Sequence, residues 1–217
     1  MVLDVVNAKQ LKSLDRFRKL CSRKQAAFLM TNDFNAASDV DLVFPNLILL
    51  EKNKILASFR LEVLWTWKDF DDRYQGHRFL KTVKFPCLYI NHVYTHPTKQ
   101  RQGYNALLRY YSFRLAKKWG MRSVLGDMLE TSPRVSTLQK MGYKAFPHPV
   151  GWKFLGTTGK VLTLYLDFEK NGKSATQFCR KMTLGLSRQV KASSAINKLK
   201  APRTSLRALL TFNKMLA

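Results

Sequence analysis

Two periods of apolar residues alternate along this chain. Over residues 8–27 the positions Leu11, Leu14, Phe17, Leu20 and Cys21 recur at helical spacing, with basic side chains on the other face, which predicts an amphipathic helix. A second helical pattern carries Leu107, Leu108, Tyr111, Leu115 and Trp119 and stops at Gly120, a glycine placed as a C-cap. Ser132 followed by Pro133 marks a third helix start, the serine as cap and the proline in the first turn. Alternating or continuous apolar runs predict strands over 2–6, 44–50, 55–64, 88–94, 123–128, 143–146 and 161–168. In the last, Leu162, Leu164 and Leu166 alternate with Thr163, Tyr165 and Asp167. The second and third are joined by a Glu51-Lys52-Asn53-Lys54 turn and read as a hairpin. Strands and helices interleave, an α/β pattern.

Three stretches break the pattern. Residues 32–41 are rich in turn formers, and Asp39 and Asp41 read there as capping or solvated acids. Residues 65–84 show no period; Trp65, Trp67, Phe70, Tyr74 and Phe79 are either the lining of an acceptor or acyl site or a lid packed on the sheet. From residue 171 to the end there are ten Lys or Arg and no acid, interspersed with apolar residues. Such a segment forms basic amphipathic helices, broken near Pro202, that lie on an anionic membrane, dock on an acidic protein, or pack with the basic face in water. The expected division is a domain over 1–170 and a basic extension over 171–217.

Charge sharpens the picture. With 38 Lys and Arg against 14 Asp and Glu the net charge is +24, so an acidic partner is expected: a polyanionic cofactor, an acidic carrier protein, anionic lipid or nucleic acid. Nucleic acid is the weakest of these, because no recognisable binding motif is present. Cys21, Cys87 and Cys179 have no metal-ligand spacing and fit buried positions in a reducing cytoplasm. No apolar run is long enough to span a membrane and no signal-peptide pattern opens the sequence, so a cytoplasmic protein is expected, peripheral to the membrane at most. G-x-S-x-G, H-E-x-x-H and a P-loop lysine are all missing, which excludes those hydrolase and nucleotide-binding classes.

The chemistry concentrates after the strand at 88–94, in a polar loop from His96 to Gly103 that leads into the second helix. Free backbone N–H groups and the helix dipole there suit an anion, phosphate above all. Gly103 lets a pyrophosphate approach, and Lys99, Gln100 and Arg101 add donors and charge. Gln100-x-x-Gly103-x-Asn105 resembles the Q/R-x-x-G-x-G/A loop of the GNAT acyltransferases. Ala106-Leu107-Leu108 looks like that family's helix start, and Leu138-Gln139-Lys140-Met141-Gly142-Tyr143 looks like its Y-E-K-x-G-F segment. Asn105 departs from the pattern, which has Gly or Ala there, and Leu138 stands where the family's general-acid tyrosine falls.

This resemblance implies a mixed sheet of about six to seven strands flanked by helices, and a coenzyme A thioester gripped by Tyr94, Thr95, Gln100, Arg101, Gln102, Gly103, Tyr104, Asn105 and Ala106. The activity implied is acyl transfer to a primary amine, with no metal. On the central strand His92 is the expected base, beside Asn91; Asp127 would orient the amine, and Tyr143 is a substitute acid. A weaker similarity of Ile55-Leu56-Ala57-Ser58-Phe59-Arg60-Leu61 to the acyl-carrier-dependent N-acyl amino acid synthases and autoinducer synthases adds Arg60 as a substrate contact, while the GNAT resemblance places the 65–84 insertion beside the acceptor cleft, with Trp65 and Trp67 as further substrate contacts. It opens the alternative of a long-chain acyl group delivered by an acidic acyl carrier protein. A further alternative is a basic membrane- or nucleic-acid-binding protein on an inactive fold of this type.

Overall fold

The structure is a computed structural model that describes residues 1–24, 40–73, 80–148 and 160–203. Its strands are β1 (Val2–Val5), β2 (Asn46–Glu51), β3 (Lys54–Leu64), β4 (Cys87–Thr95), β5 (Ser123–Leu129), β6 (Lys144–Pro147), β7 (Val161–Asp167) and β8 (Lys191–Ala192). They form one mixed sheet in the order β6-β7-β5-β4-β3-β2-β1-β8. Lys52 and Asn53, both at positive φ (48° and 64°), turn β2 into β3 as a two-residue hairpin whose twist matches the strands. The helices are α1 (Leu11–Lys24), α2 (Val40–Val43), α3 (Trp67–Arg73), α4 (Tyr104–Lys118), α5 (Arg134–Lys140), α6 (Phe168–Met182), α7 (Leu184–Ser187) and α8 (Ser194–Lys198).

Alternation along each strand splits the core into two faces. On one, Leu107, Leu108 and Phe113 of α4 and Ala175 and Cys179 of α6 pack on Phe59, Leu61, Leu88, Ile90 and Leu166. On the other, Leu14, Phe17 and Cys21 of α1 cover Ile48 and Ile55, while Phe70 of α3 meets Leu64, Cys87, Tyr89 and Leu125. The stripe of α1 differs from the expected one by a single turn position: Leu20 faces water and Arg18 is fully buried.

The tail is not a separate appendage over its described length. Phe168, Ala175, Cys179 and Ile196 belong to the main core, and β8 extends the sheet as a parallel neighbour of β1. No break at residue 170 is visible, because α6 grows directly out of β7. Beyond α8 the indole of Trp119 and the ammonium of Lys118 donate to the Leu199 carbonyl, and the Trp65 indole donates to the Pro202 carbonyl at 2.9 Å. Residues 189–203 therefore strap across the molecule. The end of the first helix beyond Lys24, Asp39, Tyr74, Phe79 and the tail beyond 203 lie outside the described residues.

One feature of the sheet positions the site. β4 and β5 are parallel neighbours joined through α4, and they pair over only Cys87–Tyr89 and Ser123–Leu125. After that β4 continues to Thr95 and β5 to Leu129 without pairing to each other, so the sheet forks. Gly126 sits at the crotch, where a Cβ would lie 3.0 Å from the Ile90 carbonyl. Opposite the fork, β4 bulges against β3: Ser58 pairs with Tyr94 and Arg60 with Asn91, leaving one extra residue on β4. His92 in that bulge takes a left-handed φ of 45°.

Candidate functional site

The fork opens at the carboxyl ends of two parallel strands, beside the point where the chain crosses over, which is where open α/β sheets bind ligands. Three groups of residues surround it.

The first is the loop into α4. A short 3₁₀ turn (Pro97–Lys99) is capped by His96, whose Nδ1 lies 3.0 Å from the Thr98 hydroxyl, and Lys99 reaches Glu51 of the hairpin at 3.9 Å. Arg101 and Gly103 both take left-handed φ values, 62° and 81°. These two reversals bring the N–H groups of Tyr104, Asn105 and Ala106 to the helix start, ahead of the first helical bond from Leu107 N–H to the Gly103 carbonyl at 2.9 Å. Arg101 and Gln102 are exposed, while Tyr104 and Ala106 are buried and anchor the turn. Asn105, the departure from the family pattern, holds a buried Nδ2 with no hydrogen-bond partner. Gln100, in extended conformation, closes the 3₁₀ turn. Thr95 ends β4, its carbonyl 3.6 Å from the Cys21 sulfur, and Tyr94 packs on the α1 face. The structure thus brings Gln100 to Ala106 together as one anion-ready turn, with Tyr94 and Thr95 leading into it.

The second group lines the face covered by α1 and α3. Arg18 donates to both oxygens of Asp41 at 2.8 Å and to Asn46 at 2.9 Å. Arg60 lies 3.5 Å from the same Asp41 and donates through Nε to Glu62 at 3.0 Å and to Asn91 at 3.1 Å. Asn91 in turn donates to Glu62 at 2.5 Å. Two cations and two anions are thereby buried with their charges balanced, the arrangement that makes such burial tolerable. Across the fork Asp127 accepts from the Tyr89 hydroxyl at 2.5 Å and from Thr163 at 2.7 Å, with His148 3.9 Å away. Asn91, Arg60 and Asp127 are therefore gathered on one face. Arg18, Asp41, Glu62, Tyr89 and His148 join them without having been singled out for the site. Asp41 in particular is a buried ion-pair partner and not a solvated cap. Arg18 carried a signal: it stands four residues after Leu14 and three before Cys21, inside the apolar stripe.

The third group faces α4. Tyr143 is buried, and its hydroxyl accepts a bond from Arg109 at 3.1 Å. Burial pushes its pKa up to about 12, although the neighbouring guanidinium pulls the other way. A phenol so placed stays protonated, and it lies on the opposite face from Asn91 and Asp127. His92 is half-buried in the bulge, its ring 6.4 Å from that of Tyr94. Trp65 and Trp67 are not brought to the fork. Trp65 follows the end of β3 that pairs with Cys87, the closed end, and Trp67 packs edge-on against Phe70 and Phe85. All three cysteines are buried, and desolvation raises the Cys21 and Cys87 thiols to about 12 and Cys179 to about 11, which removes them as nucleophiles. Among the described residues no cluster of His, Cys, Asp and Glu has the makings of a metal site.

No family model matches the chain, and no curated protein matches it. Solved structures do. The chain resembles the CoA-dependent acyl-homoserine lactone synthase BjaI, solved with SAM and isopentyl-CoA, at a TM-score of 0.59 and 13% identity over 96% of this chain and 98% of that one. It also resembles yncA, described as an acetyltransferase, from Salmonella typhimurium with acetyl-CoA (TM-score 0.55, 15% identity, 77% and 94% covered). An N-acetyltransferase from Staphylococcus aureus is similar at a TM-score of 0.55 and 14% identity, with 76% and 96% covered. With one mixed sheet flanked by helices and this likeness over nearly its whole length, the chain has the GNAT fold.

Proposed function

We propose that the protein is an N-acyltransferase that moves an acyl group from a coenzyme A thioester to a primary amine by direct attack. The observation that carries this reading is the fork between β4 and β5 opening beside an anion-ready helix start. The residues present suit such a donor: a left-handed Gly103, first-turn N–H groups and the orphaned amide of Asn105 offer donors to a pyrophosphate, with Arg101 and Gln102 exposed beside them. The thioester supplies an activated carbonyl; the protein supplies position and proton acceptors. Glu62 and Asp127 are the carboxylates nearest the fork on the α1 and α3 face. They hold the amine and take up its proton, and Asn91 and Arg60 fix Glu62. The Tyr89 hydroxyl, held by Asp127, reaches across the crotch as the group that protonates the departing thiolate.

Thermal unfolding with free CoA, acetyl-CoA and a long-chain acyl-CoA tests this reading, since a ligand of the native state must raise the midpoint. All three are expected to raise it, and Tyr89→Phe is expected to keep the shift while lowering turnover with an amine by about a hundredfold or more. A flat midpoint with every CoA species, together with no thiol release in the presence of amines, overturns it. A second reading, in which an acidic acyl carrier protein delivers the donor, is supported by exposed Met182 and Leu184 next to the loop: the Met182 carbonyl would lie 3.7 Å from a Cβ on Gly103. Saturable binding of an acylated carrier protein in place of CoA is its signature.

A further inference from the structure

The α4 face of the fork holds two guanidinium groups that make no ion pair among the described residues. Arg109 is only 4% exposed and stacks over Phe59 and Tyr143, 5.4 and 5.8 Å from their ring centres. Its Nη1 is spent on the Tyr143 hydroxyl, and its Nε is buried without a hydrogen-bond partner. Arg134, the first residue of α5, reaches over to the Val93 carbonyl of the β4 bulge at 3.5 Å. Burial, and then the nearby charge of Arg109, lower its pKa to about 10. Arg134 still holds its proton at neutral pH. The buried and part-buried acids around the fork are engaged elsewhere, Asp41 and Glu62 with Arg18 and Arg60 and Asp127 with Tyr89 and Thr163, as are Asp167 and Glu169 with Lys84 and Arg122; Glu130, four residues before Arg134, is exposed. Ring contacts offset only part of the cost of burying a cation. They leave an unused N–H in the planar fork whose geometry suits a carboxylate.

We propose that Arg109, Arg134 and Tyr143 form a carboxylate subsite on the α4 side of the β4–β5 fork, filled by a carboxylate on one of the two reacting molecules. The carboxylate is either the far end of a dicarboxylic acyl group or that of an amino-acid acceptor. The inference rests on the acyl-transfer reading and narrows its substrates. The fork is electrostatically two-sided: carboxylates of the protein face the incoming amine on one side, and guanidiniums face an anion on the other.

Matched ligand pairs on the full chain test it by calorimetry. Succinyl-CoA against butyryl-CoA adds one carboxylate to a four-carbon acyl group; alanine against ethylamine, each with saturating CoA, does the same for the acceptor. In one pair the carboxylate member is expected to bind about tenfold more tightly or better. Arg134→Gln is expected to abolish that preference and leave the affinity for free CoA unchanged, with Arg134→Lys restoring part of it. Preference in the first pair assigns the subsite to the acyl group, and preference in the second to the acceptor. Free CoA that binds while neither pair discriminates overturns the subsite alone. Failure of every CoA species to bind overturns the acyl-transfer reading and the subsite together. Should Arg134→Gln not fold, the matched pairs on the unaltered chain decide, since they need no substitution.

Discussion

A single residue in the left-handed region decides how the loop after β4 presents its amides. Gly103 has room for a side chain, since a Cβ there meets nothing closer than 3.7 Å, but its φ of 81° suits glycine. Gly103→Asp should therefore fold at a cost of about 1–2 kcal/mol for the backbone, and should lose the CoA-induced rise in melting midpoint because a carboxylate opposes the pyrophosphate. The buried pair of Arg18 and Asp41 is less forgiving. Asp41→Ala strands a guanidinium with no exposure and is expected to cost about 3–5 kcal/mol in urea unfolding. Glu169 behaves differently, at the surface. Hydrogen bonds from Arg122 and Lys84 lower its pKa from the ordinary 4.5 to about 2. Its contribution is present above pH about 5 and fades as pH falls towards 2. The midpoint difference between the wild type and Glu169→Gln should follow that course. Residue-scale roles were legible where they depend on local sequence, as for the Gln100 to Ala106 turn. They were hidden where a partner is remote: Arg18 and Asp41 lie 23 residues apart, and a basic residue on a helix is ordinarily solvated.

At the scale of elements, strong periods translated directly. All seven expected strands form, as do α1 and α4, because each carries its own alternating or helical apolar stripe. β8 was invisible: two residues in a basic stretch have no period, and only the partner β1 makes them a strand. α6 was read as part of a basic extension because its outer face is basic, whereas Ala175 and Cys179 bury the other face against α4. The fork is likewise a property of the pair β4 and β5, not of either strand. Gly126 holds its crotch, so Gly126→Ala should force the strands apart or strain them, costing about 1–3 kcal/mol in denaturant unfolding. The same variant should weaken thioester binding more than free CoA binding, since the change lies in the groove and away from the loop.

Across the whole molecule the 14 acids, several of them in ion pairs such as those of Arg18, Arg60 and Lys84, offset only part of the 38 bases and leave a net charge of +24. A polyanionic ligand approaching the α4 loop therefore meets an attractive field that salt screens over a Debye length of about 10 Å at 0.1 M. CoA affinity should fall steadily as ionic strength rises, while the folded state is little affected; titrations at several salt concentrations check this. A final consequence concerns time rather than energy. β8 lies on the outer edge of β1, and the amino group of Met1 donates to the Gln189 carbonyl at 3.1 Å. During synthesis at roughly 5–20 residues per second, the outer edge of β1 waits on the order of ten seconds or more for β8 to emerge. Through that interval it remains an open template for pairing with another chain. The nascent protein's most vulnerable margin is thus the outer edge of β1, sealed only by β8, the last strand among the described residues.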